Sequence, residues 1–152
     1  AKIYFAQGQH DSAFYYYQIL ENRRKAFGLK VYMHENVKMA YLYKEQGLLQ
    51  EAEELFAQYQ AHVVEETTVY KEAFKAVEFA YLGEEDAAIA ELRKFAGAQN
   101  IQYWFLLLAE EPLLDGLRDR AAFKEIFKEL EQSFWKNHGL LETRFKAKGL
   151  LQ

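Results

Sequence analysis

Bulky apolar side chains return at every third or fourth position over most of this chain, the period of helices that bury one face. Phe14, Tyr17, Leu20 and Phe27 make one such stripe, and Met33, Val37, Ala40 and Tyr43 another. Ala73, Ala76, Phe79 and Ala80 make a third, and Ile89, Leu92 and Phe95 a fourth. Single glycines punctuate the stripes. The spacing Tyr4, Gly8, Ala13, Tyr17, Leu20 recurs as Tyr43, Gly47, Ala52, Phe56, Tyr59 and as Phe79, Gly83, Ala88, Leu92, Phe95, with the same gaps each time. A bulky residue, a turn at glycine, a small residue and two bulky ones describe two antiparallel helices packed through a close contact. Three copies predict a stack of such pairs. Gly8 and Gly47 are 39 residues apart and Gly47 and Gly83 are 36 apart, so the stack is expected to be irregular.

The first helix is expected over residues 1–7, and Gly8 turns the chain into a second, which Asp11 or Ser12 caps and Gly28 ends. A third helix is predicted over 31–46; Gly47 breaks it before a fourth bearing Ala52, Leu55, Phe56 and Tyr59. A fifth starts near Thr67, Gly83 turns it, Asp86 caps a sixth, and Gly97 closes the pair. Beyond Gly97 the pattern changes: 101–109 reads as a very apolar helix, 110–115 as a loop around Pro112, and 120–137 as an amphipathic helix. Phe123, Ile126, Phe127, Leu130 and Phe134 mark the buried face of that last helix. After His138 and Gly139 a short basic helix is expected over 140–148, ending in Gly149, Leu150, Leu151 and Gln152. With one Pro and no linker rich in Ser, Gly or Pro, residues 1–152 read as one domain. It divides into an incomplete first repeat, 1–28, a second, 29–65, a third, 66–97, and a capping region, 98–152.

Ala1, Ala40 and Ala76 each stand three residues before the bulky residue of their unit's first helix and complete a pattern that resembles the tetratricopeptide-repeat family over roughly residues 1–97. The resemblance implies an all-α fold: a right-handed α-α superhelix of about three helical hairpins with a C-terminal capping helix pair. The chain departs from the family in its spacing, since the usual unit is about 34 residues, and in lacking the Pro that commonly closes each unit. Glu111, Pro112, Leu113, Leu114, Asp115, Gly116, Leu117, Arg118 and Phe123 are similar to a closing segment found where such arrays end bacterial multidomain regulators. Adenylate cyclases and membrane-linked winged-helix activators are among them; Arg120, Ala121 and Ala122 stand where that segment has Asp-Pro-Arg. This likeness implies a regulatory module of a longer protein, cytoplasmic, or periplasmic where it is joined to a membrane-linked regulator. The start at Ala1, inside the expected first helix, fits such a fragment.

Composition narrows the function further. No Cys is present, which excludes disulfides and thiolate chemistry. With 19 basic and 23 acidic residues and a formal charge of −4, the chain lacks the broad attraction to phosphate that nucleic-acid binding needs. No apolar run approaches the roughly 20 residues of a bilayer span. Aromatic residues make up 16% of the chain, and most are expected in the core. His34 and Glu35 begin like a zinc-peptidase motif, but Lys38 stands where the second His is required. His10, His34, His62 and His138 are never three or four residues apart, so no metal is expected, and His62 with Glu65 reads as a solvated pair. Ser12 and Ser133 lie outside any nucleophile elbow, and Gly8, Gly47 and Gly83 are turn glycines rather than a phosphate loop. Glu53, Glu54, Glu84, Glu85 and Asp86 sit at helix starts, where the dipole favours negative charge. No catalytic residue and no cofactor is therefore expected.

Two basic features keep two readings each. Arg23, Arg24, Lys25 and Lys30 answer a helix C-terminal dipole or contact an acidic partner. Lys136, Arg144, Lys146 and Lys148, against Glu142 and mixed with Leu140, Leu141 and Phe145, cap the stack or touch a partner or neighbouring subunit.

In a superhelix of the implied kind, the first helix of each pair lines the concave side. Its residues not used in pairing form the candidate groove: Phe5, His34, Val37, Tyr41, Lys44, Tyr70, Phe74, Val77 and Tyr81. Rich in rings and poor in charge, such a groove suits an apolar or helical peptide of a protein partner. Tyr41, Phe74 and Tyr81 also suit packing between adjacent helices. The rival reading is a ligand-sensing pocket around His34, Tyr41 and Tyr81, or an accessory domain for an enzyme encoded upstream. Ile3, Tyr4 and Phe14 are expected to be exposed at the opening edge and to favour a homodimer there.

Overall fold

The computed structural model describes residues 1–98 and 101–150, and every regular element among them is helical. In order these are α1 (Lys2–Ala6), α2 (His10–Phe27), α3 (Asn36–Glu45), α4 (Leu49–Glu65), α5 (Lys71–Tyr81), α6 (Glu85–Ala96) and α7 (Ala121–Ala147). Short 3₁₀ segments at Met33–Glu35, Tyr103–Glu110 and Pro112–Leu117 join them. The closest neighbours are consecutive: α1 lies on α2, α3 on α4 and α5 on α6. Contacts of α2 with α3, α3 with α5, and α6 with α7 carry the packing from pair to pair.

The three glycine turns share one backbone geometry. Gly8, Gly47 and Gly83 have φ of 68°, 76° and 77°, the left-handed region that only glycine enters without strain. The next N–H reaches back to the carbonyl of Tyr4, Tyr43 or Phe79 at 2.9, 2.9 and 2.8 Å, which satisfies the end of the preceding helix. That same next residue, Gln9, Leu48 or Glu84, then accepts the N–H of Ala13, Ala52 or Ala88 at 3.0 Å each and opens the following helix. The alanines are buried at the crossings, as are Ala40 and Ala76.

This closure corrects the expected caps. α2 starts at His10 and α6 at Glu85, and neither N-cap makes a side-chain bond, so Asp11, Ser12 and Asp86 fall inside the helices. The turn has already fixed the first helical residue, leaving no room for a cap further on.

Elsewhere the elements start later than the pattern predicts. α3 begins at Asn36 rather than near 31 because Tyr32 takes a left-handed φ of 54° and its carbonyl accepts a 2.7 Å bond from Arg24. α5 begins at Lys71 rather than near Thr67, since the Glu66 carboxylate accepts the N–H groups of Thr67 and Thr68 and holds a tight turn. The apolar segment expected as a helix over 101–109 is 3₁₀, and so is the expected loop around Pro112. Pro112 forces Glu111 into an extended conformation (ψ 118°) and prevents one helix from running through.

The expected break after His138 is absent. α7 runs straight through Gly139, whose carbonyl accepts the Thr143 hydroxyl at 2.9 Å; one glycine costs a helix only about 1 kcal/mol. Residues 135–150 are all exposed, so this part of the chain does not cap the stack. Leu151 and Gln152 lie outside the described residues.

Candidate functional site

A cavity of about 440 Å³ opens between α1, the start of α3, α5 and the two C-terminal 3₁₀ segments. Phe5, Val37, Phe74, Val77, Phe105 and Leu108 form its walls. Lys2, Ile3, Ala6, Leu107 and Glu110, all exposed, stand at its mouth.

Its floor is charged. Glu35 accepts the Tyr17 hydroxyl at 2.5 Å, and Lys38 Nζ sits 3.4 Å from both Glu35 oxygens and 3.1 Å from Glu111 Oε2. His34 Nε2 lies 3.4 Å from Glu35 Oε1. Burial pushes the Glu35 carboxyl toward neutrality, but His34, the Lys38 charge and the Tyr17 hydroxyl together outweigh it and hold the group well below the usual carboxylate range. Tyr17 is shifted the other way, first by burial and then by the Glu35 charge, and so remains a hydroxyl donor. Glu111 Oε1 is buried without a hydrogen-bond partner.

Five of the nine residues picked from the sequence meet at this cavity: Phe5, His34, Val37, Phe74 and Val77. His34 stacks on Phe74 with ring centroids 6.0 Å apart, and His62 joins them at 5.8 Å from Phe74 rather than pairing with Glu65 in solvent. The other four lie elsewhere. Tyr70 stands behind the wall, stacked at 3.8 Å on Phe105, with its hydroxyl accepting the Gln102 N–H. Tyr41 meets Phe5 and His10 edge-on, at 5.8 and 5.7 Å. Lys44 sits 5.9 Å above the ring of Tyr81, which packs at 4.5 Å on Phe56.

Glu35, Lys38 and Glu111 were missed as site residues. An opposite-charge pair three residues apart beside the apolar Val37 and Met39 is the sequence signal for Glu35 and Lys38. Nothing local points to Glu111, which the fold brings from the far side of the last glycine turn. Within the basic patch near Gly28, Arg24 is buried, donates to Asn36 Oδ1 at 2.7 Å and pairs with Glu21 at 3.5 Å, so it ties α2 to α3, while Arg23, Lys25 and Lys30 are exposed. At the opening edge Tyr4 stacks on Tyr16 and Phe14 packs on Tyr43, both half-buried; of the three residues expected there, Ile3 alone is exposed.

Among the described residues no group of three or more His, Asp or Glu is placed to hold a metal ion, and no helix is long and apolar enough to cross a membrane. No family model matches the chain, and neither a curated protein nor a solved structure does.

Proposed function

We propose that this chain is a non-catalytic interaction module whose cavity receives apolar side chains from a peptide or protein partner. The observation that carries this reading is the convergence of Phe5, Val37, Phe74, Val77, Phe105 and Leu108 on a space reached from solvent past Ile3, Ala6 and Leu107. Water held against such walls is displaced favourably by an apolar group. The three turns of equal geometry support the further reading that the helix pairs stack as a right-handed superhelix of tetratricopeptide type. With the Glu111-to-Arg118 likeness, they also support a regulatory role in a bacterial multidomain protein, cytoplasmic or joined to a membrane-linked regulator.

The test is selection of binders from a displayed random-peptide library, followed by affinity measurements on two mouth variants. Amphipathic peptides with large apolar side chains are expected, and Leu107→Arg and Ala6→Trp, both at exposed positions, are each expected to weaken them at least about tenfold. Binding indifferent to both variants would place the partner site elsewhere.

The cavity's volume also favours a second reading, because about 300–1,000 Å³ is the range of small-molecule sites. A thermal-shift screen separates the two: a small ligand raises the melting temperature by mass action in the wild type and not in Ala6→Trp.

A further inference from the structure

We propose that the cavity is filled by the free half of α7 from a second copy of this chain, the two copies exchanging these helices reciprocally. The inference rests on the reading of the cavity as a docking site and names its occupant.

The stripe that α7 buries continues past the point where the body ends. Phe123 and Leu130 are buried and Phe127 and Phe134 half-buried. Leu141 and Phe145, seven and eleven residues after Phe134, lie on the same face of the helix yet are exposed, at 49% and 38%. Ala147 is about 20 Å beyond Phe134 at 1.5 Å per residue. A helix of this length with a bare apolar face gains most of its stability from packing. Past Trp135, whose ring meets Tyr103 at 6.0 Å, every residue to 147 is exposed. This half cannot fold back to the cavity, because α7 is unbroken through Gly139.

Charge selects the same occupant. Over residues 136–148 the free half carries Lys136, Arg144, Lys146 and Lys148 against Glu142 alone, in a chain whose formal charge is −4. Around the cavity stand Glu35, Glu110 and Glu111 against Lys2 and Lys38. Lys38 is already engaged by Glu35 and Glu111, and Glu111 Oε1 still lacks a donor. A helix bearing Phe145 beside Arg144 offers an apolar knob for the walls and a cation for Glu110 at the mouth, while Lys146 is paired with Glu142 at 2.7 Å on its own helix. The space admits a few large side chains and not a whole helix of about 10–12 Å diameter, so α7 lies across the mouth with Leu141 and Phe145 inserted. Reciprocal exchange fills both cavities and covers both stripes, which closes the assembly as a two-fold dimer.

Sedimentation of the full chain tests this. The wild type is expected to be a dimer. Leu141→Glu with Phe145→Glu in the free half, and separately Leu107→Arg at the mouth, are expected to be folded monomers. The double substitution should raise the dimer dissociation constant at least about a hundredfold. Mixing the two variants restores association, because one keeps its cavity and the other its helix. A synthetic peptide of residues 131–150 binds the first variant and not the second. A wild type that stays monomeric at all concentrations overturns the proposal. So does a dimer that survives Leu107→Arg but not the α7 substitutions, which would mean that two α7 helices pair with each other. If library peptides enter the cavity while the 131–150 peptide does not, this inference fails and the docking role stands. If neither enters, both fail.

Discussion

Glu35 keeps its charge at 6% exposure because the Tyr17 hydroxyl, Lys38 and His34 all converge on it. Its folded-state pKa lies below the ordinary glutamate value of about 4.3. The stability it contributes is therefore complete above that value and drains away as the pH falls toward the folded value. Glu35→Gln is expected to cost about 1.5–3 kcal/mol at neutral pH. That is less than the roughly 3–5 kcal/mol of stranding a buried charge, since Lys38 keeps Glu111 at 3.1 Å. Urea melts of wild type and variant at about pH 7 and about pH 2 should show the gap narrowing in acid; a gap of equal size at both would assign it to packing. Read along the chain, Glu35 belongs to a failed zinc motif. Its role depends on Tyr17 and Glu111, 18 residues before it and 76 after, and no local period encodes that meeting.

At the scale of elements, the glycines divide by backbone conformation. A Cβ at Gly47 or at Gly139 would touch nothing within 4 Å, so space does not separate them. Gly47 has φ 76° in a turn that closes α3 and opens α4, and Gly47→Ala is expected to destabilise the fold by about 1–2 kcal/mol through left-handed strain. Gly139 lies inside α7, and Gly139→Ala is expected to stabilise the free half of that helix by about 1 kcal/mol. Chemical melts measure the first effect; mean ellipticity and amide exchange over residues 135–147 measure the second. Loss of stability from Gly139→Ala would mean that the helix bends there. The turns at Gly8, Gly47 and Gly83 were legible because a positive φ leaves a residue-type signature. The start of α3 was not legible, since the side chain that delays it is Arg24, reaching from another helix to the Tyr32 carbonyl.

At the scale of the molecule, the two larger of three apolar clusters among the described residues are linked by half-buried side chains. One is centred on Val37, Tyr59, Ala76, Leu92 and Leu114, the other on Phe5, Tyr17, Met39, Ala40 and Leu55. Phe56, Tyr81 and Leu113 pack against both. A core joined in this way is expected to unfold as one unit, with amides of α3 and α6 exchanging through the same global opening. Leu114, fully buried on the last 3₁₀ segment, ties the C-terminal region into that unit. Leu114→Ala is expected to cost about 2–5 kcal/mol and to lower protection in α3 and α6 alike. Protection lost in α6 alone would show two separable halves.

Sequence alone determined that this chain is helical, where its glycine turns fall, and which alanines sit at the crossings. Each of these depends on neighbours a few residues apart: a 3.6-residue period, a φ that only glycine accepts, and a side chain small enough for close approach. Tertiary structure decided the rest. Packing between distant segments selected five ring-bearing or aliphatic candidates for the cavity and sent Tyr41, Lys44, Tyr70 and Tyr81 elsewhere. It supplied Phe105, Leu108 and Glu111 from the C-terminal region, and it left the turns of α7 beyond Trp135 exposed. Burial and charge pairing are set by what lies opposite in space, and that is fixed only when the chain has folded.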